Sequence, residues 1–232
     1  MTLSIVATPI GNMQDISFRA KEVLEASELI IAEDTRVAGK LLKLLGISSE
    51  GKTFRSFHAQ SSHSSTEKLI SECVGYENIV LMTDAGTPGI SDPGCVFVDA
   101  FRKVYPDVTI LPIPGPSALI AALSVSGFPA SHFEFLGFIP HKKGKQTLLK
   151  SIVEKEHTVV FYESPHRIVD TLELMSSFIG ERTTFIAREI TKVFEECRWG
   201  TSDELCRYYK DTPSKCKGEF VVVVAPLRYR SQ

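Results

Sequence analysis

Short β-branched runs and amphipathic segments take turns along the first half of the chain, and that alternation leaves few folds open. Leu3–Ala7, Leu29–Ala32, Thr53–Phe57, Asn78–Thr83 and Val108–Pro112 read as strands. Ser17–Ala26, Thr35–Leu45, a segment from Ser64 to about Val74, and Cys95–Val104 read as helices. Strand–helix–strand order requires crossover connections, so the sheet is expected to be mostly parallel, with helices on both faces. Asp15 or Ser17 is placed to cap the first helix. Gly46 stops the second, because glycine takes the left-handed C′ conformation without strain. Ser64-Ser65-Thr66-Glu67 has the spacing of a capping box.

The pattern changes near Pro112–Pro116. Pro114-Gly115-Pro116-Ser117 starts a helix that ends around Gly127. Phe133–Phe138, Thr158–Tyr162, Thr183–Arg188, Val193–Gly200 and Gly218–Ala225 then read as strands, and Gln146–Glu154, Pro165–Ile179 and Ser202–Tyr209 as helices. Several of these strands succeed one another directly, which favours antiparallel pairs. The expected class is therefore α/β with two domains: residues 1–113 with a mostly parallel sheet and flanking helices, and residues 114–232 with a mixed α+β sheet. In the Pro165 helix, proline stands at the first position, where its missing N–H matters least. Ile168, Leu172, Met175 and Ile179 fall on one face of that helix and read as core.

Composition narrows the function classes. The chain has 232 residues, 43% hydrophobic and 23% charged, with a net charge of −2. That balance lacks the basic bias of a module built only to hold nucleic acid. The longest apolar run, Val108–Val125, is broken by Pro112, Pro114, Gly115 and Pro116, so no membrane span is expected. No signal peptide is expected at the N-terminus, which lacks a charged start and breaks at Pro9. The five cysteines form no C-x-x-C pair and read as free thiols of a reducing, cytoplasmic compartment. His58 and His63 are five apart, off the zinc-helix spacing, and no metal is expected. Only the residues after Leu227 are expected to lack a fixed structure.

Chemistry is concentrated in a few strand-end segments. Asp84–Gly94 packs three glycines, two prolines and two aspartates into eleven residues directly after a buried strand. Glycine lets a ligand approach backbone closely and proline fixes the remaining dihedrals, so this is read as a rigid ligand loop. Asp84 is placed to accept from a ligand hydroxyl or amine. Thr8-Pro9-Ile10-Gly11-Asn12 has a single glycine, which argues against a nicotinamide fingerprint, and G-x-x-x-x-G-K-[ST] is absent. Ser117 and Ala118 are small residues at a helix start, where backbone N–H groups favour an anion. Tyr162-Glu163-Ser164-Pro165-His166-Arg167, Glu33-Asp34-Thr35-Arg36 and Arg188-Glu189-Ile190-Thr191-Lys192 cluster charge at strand ends.

Together with Gly137-Phe138-Ile139-Pro140, these segments occur in the order found in the tetrapyrrole methylase superfamily. The chain resembles the branch of that superfamily that modifies small-subunit ribosomal RNA, over about Leu3 to Ala225. The resemblance implies a two-domain methylase acting as a homodimer, with S-adenosylmethionine in a cleft between the domains. Its implied substrate is the 2′-hydroxyl of a cytidine ribose in the decoding region of 16S rRNA. By motif position it implies cofactor contacts from Pro9, Ile10, Asp84, Thr87, Ser117, Ala118 and Tyr162, with Glu189 and Gly218 on the adenine side. Glu189, Asp34 and His166 are the candidate bases for the ribose hydroxyl. Arg36, Lys142, Lys143, Lys145, Arg167, Arg188 and Lys192 are candidate RNA contacts, with Arg36 and Lys192 alternatively lowering the pKa of the hydroxyl. The segment Phe57-His58-Ala59-Gln60 departs from the family's His-Asn-Glu pattern after His58. Two other readings stand beside this one. One is a methylase of the same superfamily acting on a tetrapyrrole or a protein. The other is a non-catalytic ribosome- or RNA-binding module.

Overall fold

The computed structural model describes residues 1–229; the expectation of no fixed structure after Leu227 lies outside the described part for residues 230–232 and does not hold at Tyr229, whose ring packs on Phe128. Two compact units are present, Met1–Ser117 and the chain from Ala118 onward.

In the first unit, β1 (Thr2–Val6), β2 (Leu29–Ala32), β3 (Thr53–Ser56), β4 (Asn78–Met82) and β5 (Thr109–Ile113) form one sheet in the order β3-β2-β4-β1-β5. Every pairing in it is parallel. Helices α1 (Phe18–Ala26) and α2 (Thr35–Leu45) pack Ala20, Leu24, Ala38 and Leu42 against Val6, Ile30, Val80 and Met82. Helices α3 (His63–Glu72) and α4 (Gly94–Val104) pack Leu69, Ile70, Phe97 and Phe101 against Leu3, Ile31, Ile79 and Leu81. Consecutive residues of β4, such as Val80 and Leu81, thus feed opposite cores, as strand alternation requires.

The strand order fixes where a ligand can sit. From β1 the chain runs to β2 and β3 on one side, then returns so that β4 lands beside β1, and β5 is laid on the far side. β1 and β4 are therefore neighbours whose onward connections leave in opposite directions, the place where open α/β sheets bind their ligands.

The second unit holds α5 (Ala118–Ser126), β6 (Phe133–Phe138), α6 (Lys145–Ser151), β7 (Thr158–Glu163), α7 (Ile168–Ile179), β8 (Thr183–Arg188), β9 (Glu196–Thr201), α8 (Ser202–Asp211) and β10 (Phe220–Val224). Its sheet order is β6-β7-β10-β8-β9. Only β6–β7 is parallel; the other three pairings are antiparallel. Helices α6, α7 and α8 cover one face with Leu149, Ile168, Leu172, Met175, Leu205 and Tyr209. α5 covers the other with Leu119, Ala122 and Leu123. Of the expected α7 stripe, Ile168, Leu172 and Met175 are buried and Ile179 packs at its edge.

Several boundaries differ from the sequence expectation, each for a local reason. Ser17 caps α1, accepting from Ala20 N. α3 is capped by Ser62, not Ser64: Ser62 is extended and its hydroxyl accepts from Ser65 N, while Ser64 is already helical. α6 ends at Ser151, because the Arg182 guanidinium takes the Ile152, Val153 and Lys155 carbonyls. α7 begins at Ile168 rather than Pro165, because Arg167 N and Ile168 N both donate to Ser164 O and close a turn first. β9 begins at Glu196, since Glu189 and Thr191 take left-handed backbone and turn the chain before it.

Candidate active site

Three loops meet at the divergence of β1 and β4, all within the first unit. Thr8 and Gly86 form a two-way backbone bridge, Thr8 N to Gly86 O at 2.9 Å and Gly86 N to Thr8 O at 3.1 Å. The Thr8 hydroxyl donates to Thr83 O at 3.2 Å. The Thr87 hydroxyl donates to Pro116 O at 3.0 Å, so the Pro114–Ser117 segment joins the same assembly. The fit leaves no room for extra atoms. A Cβ on Gly115 would lie 3.0 Å from the Ala7 Cβ, and Gly86 is left-handed at φ 86° with Ile10 3.4 Å from where its Cβ would stand.

Asp92 organises the long loop from inside. Its carboxylate accepts from Gly89 N at 2.9 Å and from Gly94 N at 2.7 Å. A side chain at Gly94 would meet Asp92 Oδ1 at 2.8 Å and Gly89 N at 2.9 Å. Gly86 and Gly89 have positive φ, and so does Ser91, the non-glycine residue that closes the turn. Asp84 is exposed and accepts from Asp34 N at 3.1 Å. Asp92→Ala would orphan two backbone N–H groups, and a loss of about 1–3 kcal/mol is expected. Chemical denaturation of the variant checks this, and a loss inside experimental error would mean the loop holds itself.

Glu33 and Asp34 at the end of β2 behave differently. Asp34 caps α2 by accepting from Arg36 N at 2.8 Å, and its carboxylate also meets the Arg36 guanidinium at 2.6 Å. These Arg36 hydrogen bonds pull its pKa down to about 2. Glu33 accepts from the Thr83 hydroxyl at 3.4 Å. Burial, and then the charges of Asp84 and Asp92, push its carboxyl up, against smaller opposing effects of Thr83 and His58. Because the folded state holds the Glu33 proton more tightly than the unfolded chain, stability falls as pH rises from the unfolded value of about 4.3 through the raised folded value. A Glu33→Gln chain lacks that loss. It should gain on the parent as pH rises across that window, as paired melting curves would show; parallel curves would contradict the raised value. In the sequence Glu33 stands out only as part of a charged cluster. Its position opposite the two loop aspartates comes from strand order alone.

In the second unit the expected residues separate into engaged and free. Glu163 is fully buried at the end of β7. Its Oε1 accepts from Ser164 N and the Arg167 guanidinium, each at 2.7 Å, and its Oε2 from the Thr171 hydroxyl at 2.6 Å. Arg167 also donates to Ile139 O at 2.6 Å. Arg167, expected as an RNA contact, is thus an internal tie between the β6 and β7 ends. Arg188 is a second correction: it is buried and donates to Phe194 O at 2.8 Å and Lys217 O at 3.2 Å, within reach of Glu196, so it cannot face a phosphate. His166 is exposed beside these buried partners.

Glu189 is left-handed at φ 51°, and its Oε1 accepts from Lys192 Nζ at 2.8 Å and Glu219 N at 2.9 Å. Lys192 Nζ reaches Glu219 as well, at 2.7 Å. Burial pushes the Glu189 carboxyl up, but Lys192, the Glu219 N–H and the Arg188 charge outweigh it and bring it down. Gly218, left-handed at φ 88°, makes room for that side chain: a Cβ there would stand 2.3 Å from Glu189. Tyr162 is half-buried at the end of β7 against Phe135, and burial raises its phenol. Lys142 and Lys143 are exposed, Lys145 half so at the start of α6, and Arg36 is 89% exposed though paired to Asp34. Pro9, Thr87, Ser117 and Ala118 are partly exposed and Ile10 is nearly buried. His58 and Gln60, in the segment that departs from the family pattern, are exposed, while Phe57 is core.

Residues 2–206 match the model of the Tetrapyrrole (Corrin/Porphyrin) Methylases. A Ribosomal RNA small subunit methyltransferase I from Synechocystis sp. is 43% identical over 226 residues, 96% of this chain and 78% of that protein. One from Haemophilus influenzae is 42% identical over 224 residues, 96% of this chain and 77% of that protein. Among solved structures, the methyltransferase CobJ superposes with a TM-score of 0.69 at 18% identity, covering 100% of this chain and 95% of that one. Uroporphyrin-III C-methyl transferase from Thermus thermophilus, complexed with S-adenyl homocysteine, gives 0.64 at 14% identity and 98% coverage of both. These two structures share the fold; the two rRNA enzymes share more than twice as many of the chain's residues. The chain belongs to the tetrapyrrole methylase family and, within it, to the Ribosomal RNA small subunit methyltransferase I family.

Proposed function

We propose that the protein methylates the 2′-hydroxyl of a cytidine ribose in the decoding region of 16S rRNA, using S-adenosylmethionine. The reading is carried by kinship of 43% identity across nearly the whole chain to a small-subunit rRNA methyltransferase, together with a strand order that puts β1 and β4 where open α/β sheets bind their ligands. Gly86 and Gly115 let the three loops close on one another, and at those strand ends the partly exposed Pro9 and Thr87 and the exposed Asp84 carboxylate are available to a polar ligand such as the cofactor. Pro9, Ile10, Asp84, Thr87, Ser117 and Ala118 are the residues we assign to cofactor binding. In the second unit we assign Tyr162 and Gly218 to it, with Glu189 acting by shaping the Gly218 turn.

When bound, S-adenosylmethionine would supply a methyl group on a sulfonium, open to in-line attack by an oxygen nucleophile with the neutral thioether as leaving group. The protein's own tasks are to hold the ribose hydroxyl against it and to accept the hydroxyl proton. Asp34 is a poor acceptor because Arg36 holds its carboxyl at about 2. Glu189 is committed to Lys192 and Glu219 N. His166 is exposed and carries the assignment as base. The exposed Lys142 and Lys143, and Lys145 beside them, supply cations for phosphates. A homodimer would present that basic loop twice, and we assign the protein to the cytoplasm, where its substrate is made. Among the described residues no helix is long and apolar enough to cross a membrane.

Titration calorimetry with S-adenosylmethionine tests the cofactor assignment. The account predicts saturable binding that Thr87→Val and Asp84→Asn weaken. No heat of binding in the parent protein would remove every methylase reading.

A further inference from the structure

At the free end of the parallel pair β6–β7 an aromatic ring is turned outward by a built-in irregularity. The register runs Phe135 opposite Val160 and then Phe138 opposite Tyr162, three steps on β6 against two on β7. The extra residue is a bulge, and Gly137 takes it up with left-handed backbone at φ 65°. Without the bulge, Gly137 would face Tyr162 and Phe138 would fall on the opposite side of the sheet. With it, Phe135, Tyr162 and Phe138 stand on one face. The Phe138 ring centroid lies 5.3 Å from that of Tyr162, and Tyr162 rests at 5.0 Å on Phe135.

Phe135 and Tyr162 are partly buried, but Phe138 is 57% exposed. A bulge that aims a phenylalanine at solvent is not explained by core packing. The residues just beyond Phe138 supply a reason. Ile139 N donates to Tyr162 O, the Arg167 guanidinium holds Ile139 O, and the chain then runs directly into His141, Lys142, Lys143 and Lys145. The buried Glu163–Arg167 pair thereby fixes the root of a short cationic loop next to an exposed, supported ring. An aromatic face beside long-armed cations matches single-stranded nucleic acid, whose unpaired bases stack while its phosphates are neutralised.

We propose that Phe138 is a stacking platform for an unpaired base of the RNA substrate, with Lys142 and Lys143 holding the adjoining phosphates. This rests on the reading of the protein as an RNA methylase and adds to it the form of RNA taken, a single strand or a splayed loop, and the side chain that grips it. Phe138 is a binding residue here, distinct from those assigned to the cofactor.

The test uses the full chain, a cytidine-containing single-stranded oligoribonucleotide and a duplex of the same length, with Phe138→Ala, Phe138→Trp and Lys142→Gln/Lys143→Gln variants. The parent should prefer the single strand. Phe138→Ala should weaken that binding about tenfold, and Phe138→Trp should keep or tighten it. The double lysine variant should flatten the salt dependence for any sequence. Calorimetry should show S-adenosylmethionine binding unchanged in Phe138→Ala. Equal binding by parent and Phe138→Ala, equal weakening by alanine and tryptophan, or loss of cofactor binding in Phe138→Ala would each overturn the platform while leaving the RNA reading in place. A parent protein that binds neither RNA and methylates no ribosomal subunit would remove the underlying reading as well.

Discussion

A Glu163→Ala chain is expected to lose about 3–5 kcal/mol of stability, the largest effect of any single substitution considered for this fold, because it strands a charge whose partner is buried. The Glu163 side chain is 0% exposed and that of Arg167 11%. In the parent, every lone pair that matters is met: Ser164 N and Arg167 on one oxygen, the Thr171 hydroxyl on the other. Removing the carboxylate leaves an N–H and a hydroxyl without their acceptor, and a guanidinium with only the uncharged Ser164 hydroxyl and Ile139 O. Glu163→Gln has a single carbonyl oxygen, which can still accept from Ser164 N and Arg167 while its NH2 turns to the Thr171 hydroxyl as donor, so without the charge it should fall between the alanine variant and the parent. Replacing both partners with Leu and Met should recover much of the alanine loss, since a buried pair is often dispensable when both members go. Urea melts of the four proteins decide this. A loss below about 1 kcal/mol for Glu163→Ala would mean that water reaches the pair and screens it.

His166→Ala is expected to lower kcat by about 10²-fold or more while leaving S-adenosylmethionine affinity unchanged, the signature of a lost proton acceptor rather than a lost binding contact. The side chain is exposed, so its truncation opens no cavity and the stability should hold. Single-turnover methyl transfer at saturating S-adenosylmethionine separates the roles: the variant should stay slow at every cofactor concentration, and added imidazole should recover part of the lost rate. Glu189→Ala should behave otherwise, weakening the fold around Lys192 and Glu219 and shifting cofactor affinity before chemistry. Full turnover by His166→Ala would remove it as the base.

The fold is legible in the sequence to a large degree. Nearly every strand and helix is visible as an alternating, continuous or 3.6-residue apolar pattern, because each buries a face that the pattern must match. The features hidden from it are polar. The run Ser61-Ser62-His63-Ser64-Ser65 offers several hydroxyls that can cap a helix, and only backbone geometry chooses Ser62. Glu163 and Arg167 look like surface charge at a strand end. Helical spacing does not relate them, because Glu163 ends a strand and Arg167 stands before the helix. Arg188 is misplaced for the same reason: its buried partners are backbone carbonyls at Phe194 and Lys217, which leave no trace in residue types. The Gly137 bulge does leave one, a glycine inside a phenylalanine-rich strand.

The candidate site is legible where chemistry depends on backbone. The glycines and prolines of Asp84–Gly94 announce a rigid loop, and the structure ties that loop to Thr8 and Pro116 and braces it with Asp92. Which carboxylate is basic is not legible, since that depends on partners such as Arg36 and Lys192 that hold Asp34 and Glu189 down.

The most direct measurement of the central claim is transfer of a labelled methyl group from S-adenosylmethionine to small ribosomal subunits isolated from cells that lack the modification. The account predicts label in 16S rRNA, recovered as a 2′-O-methylcytidine from the decoding region. Label on a base or in a protein, or no label from a chain that binds the cofactor, would contradict it.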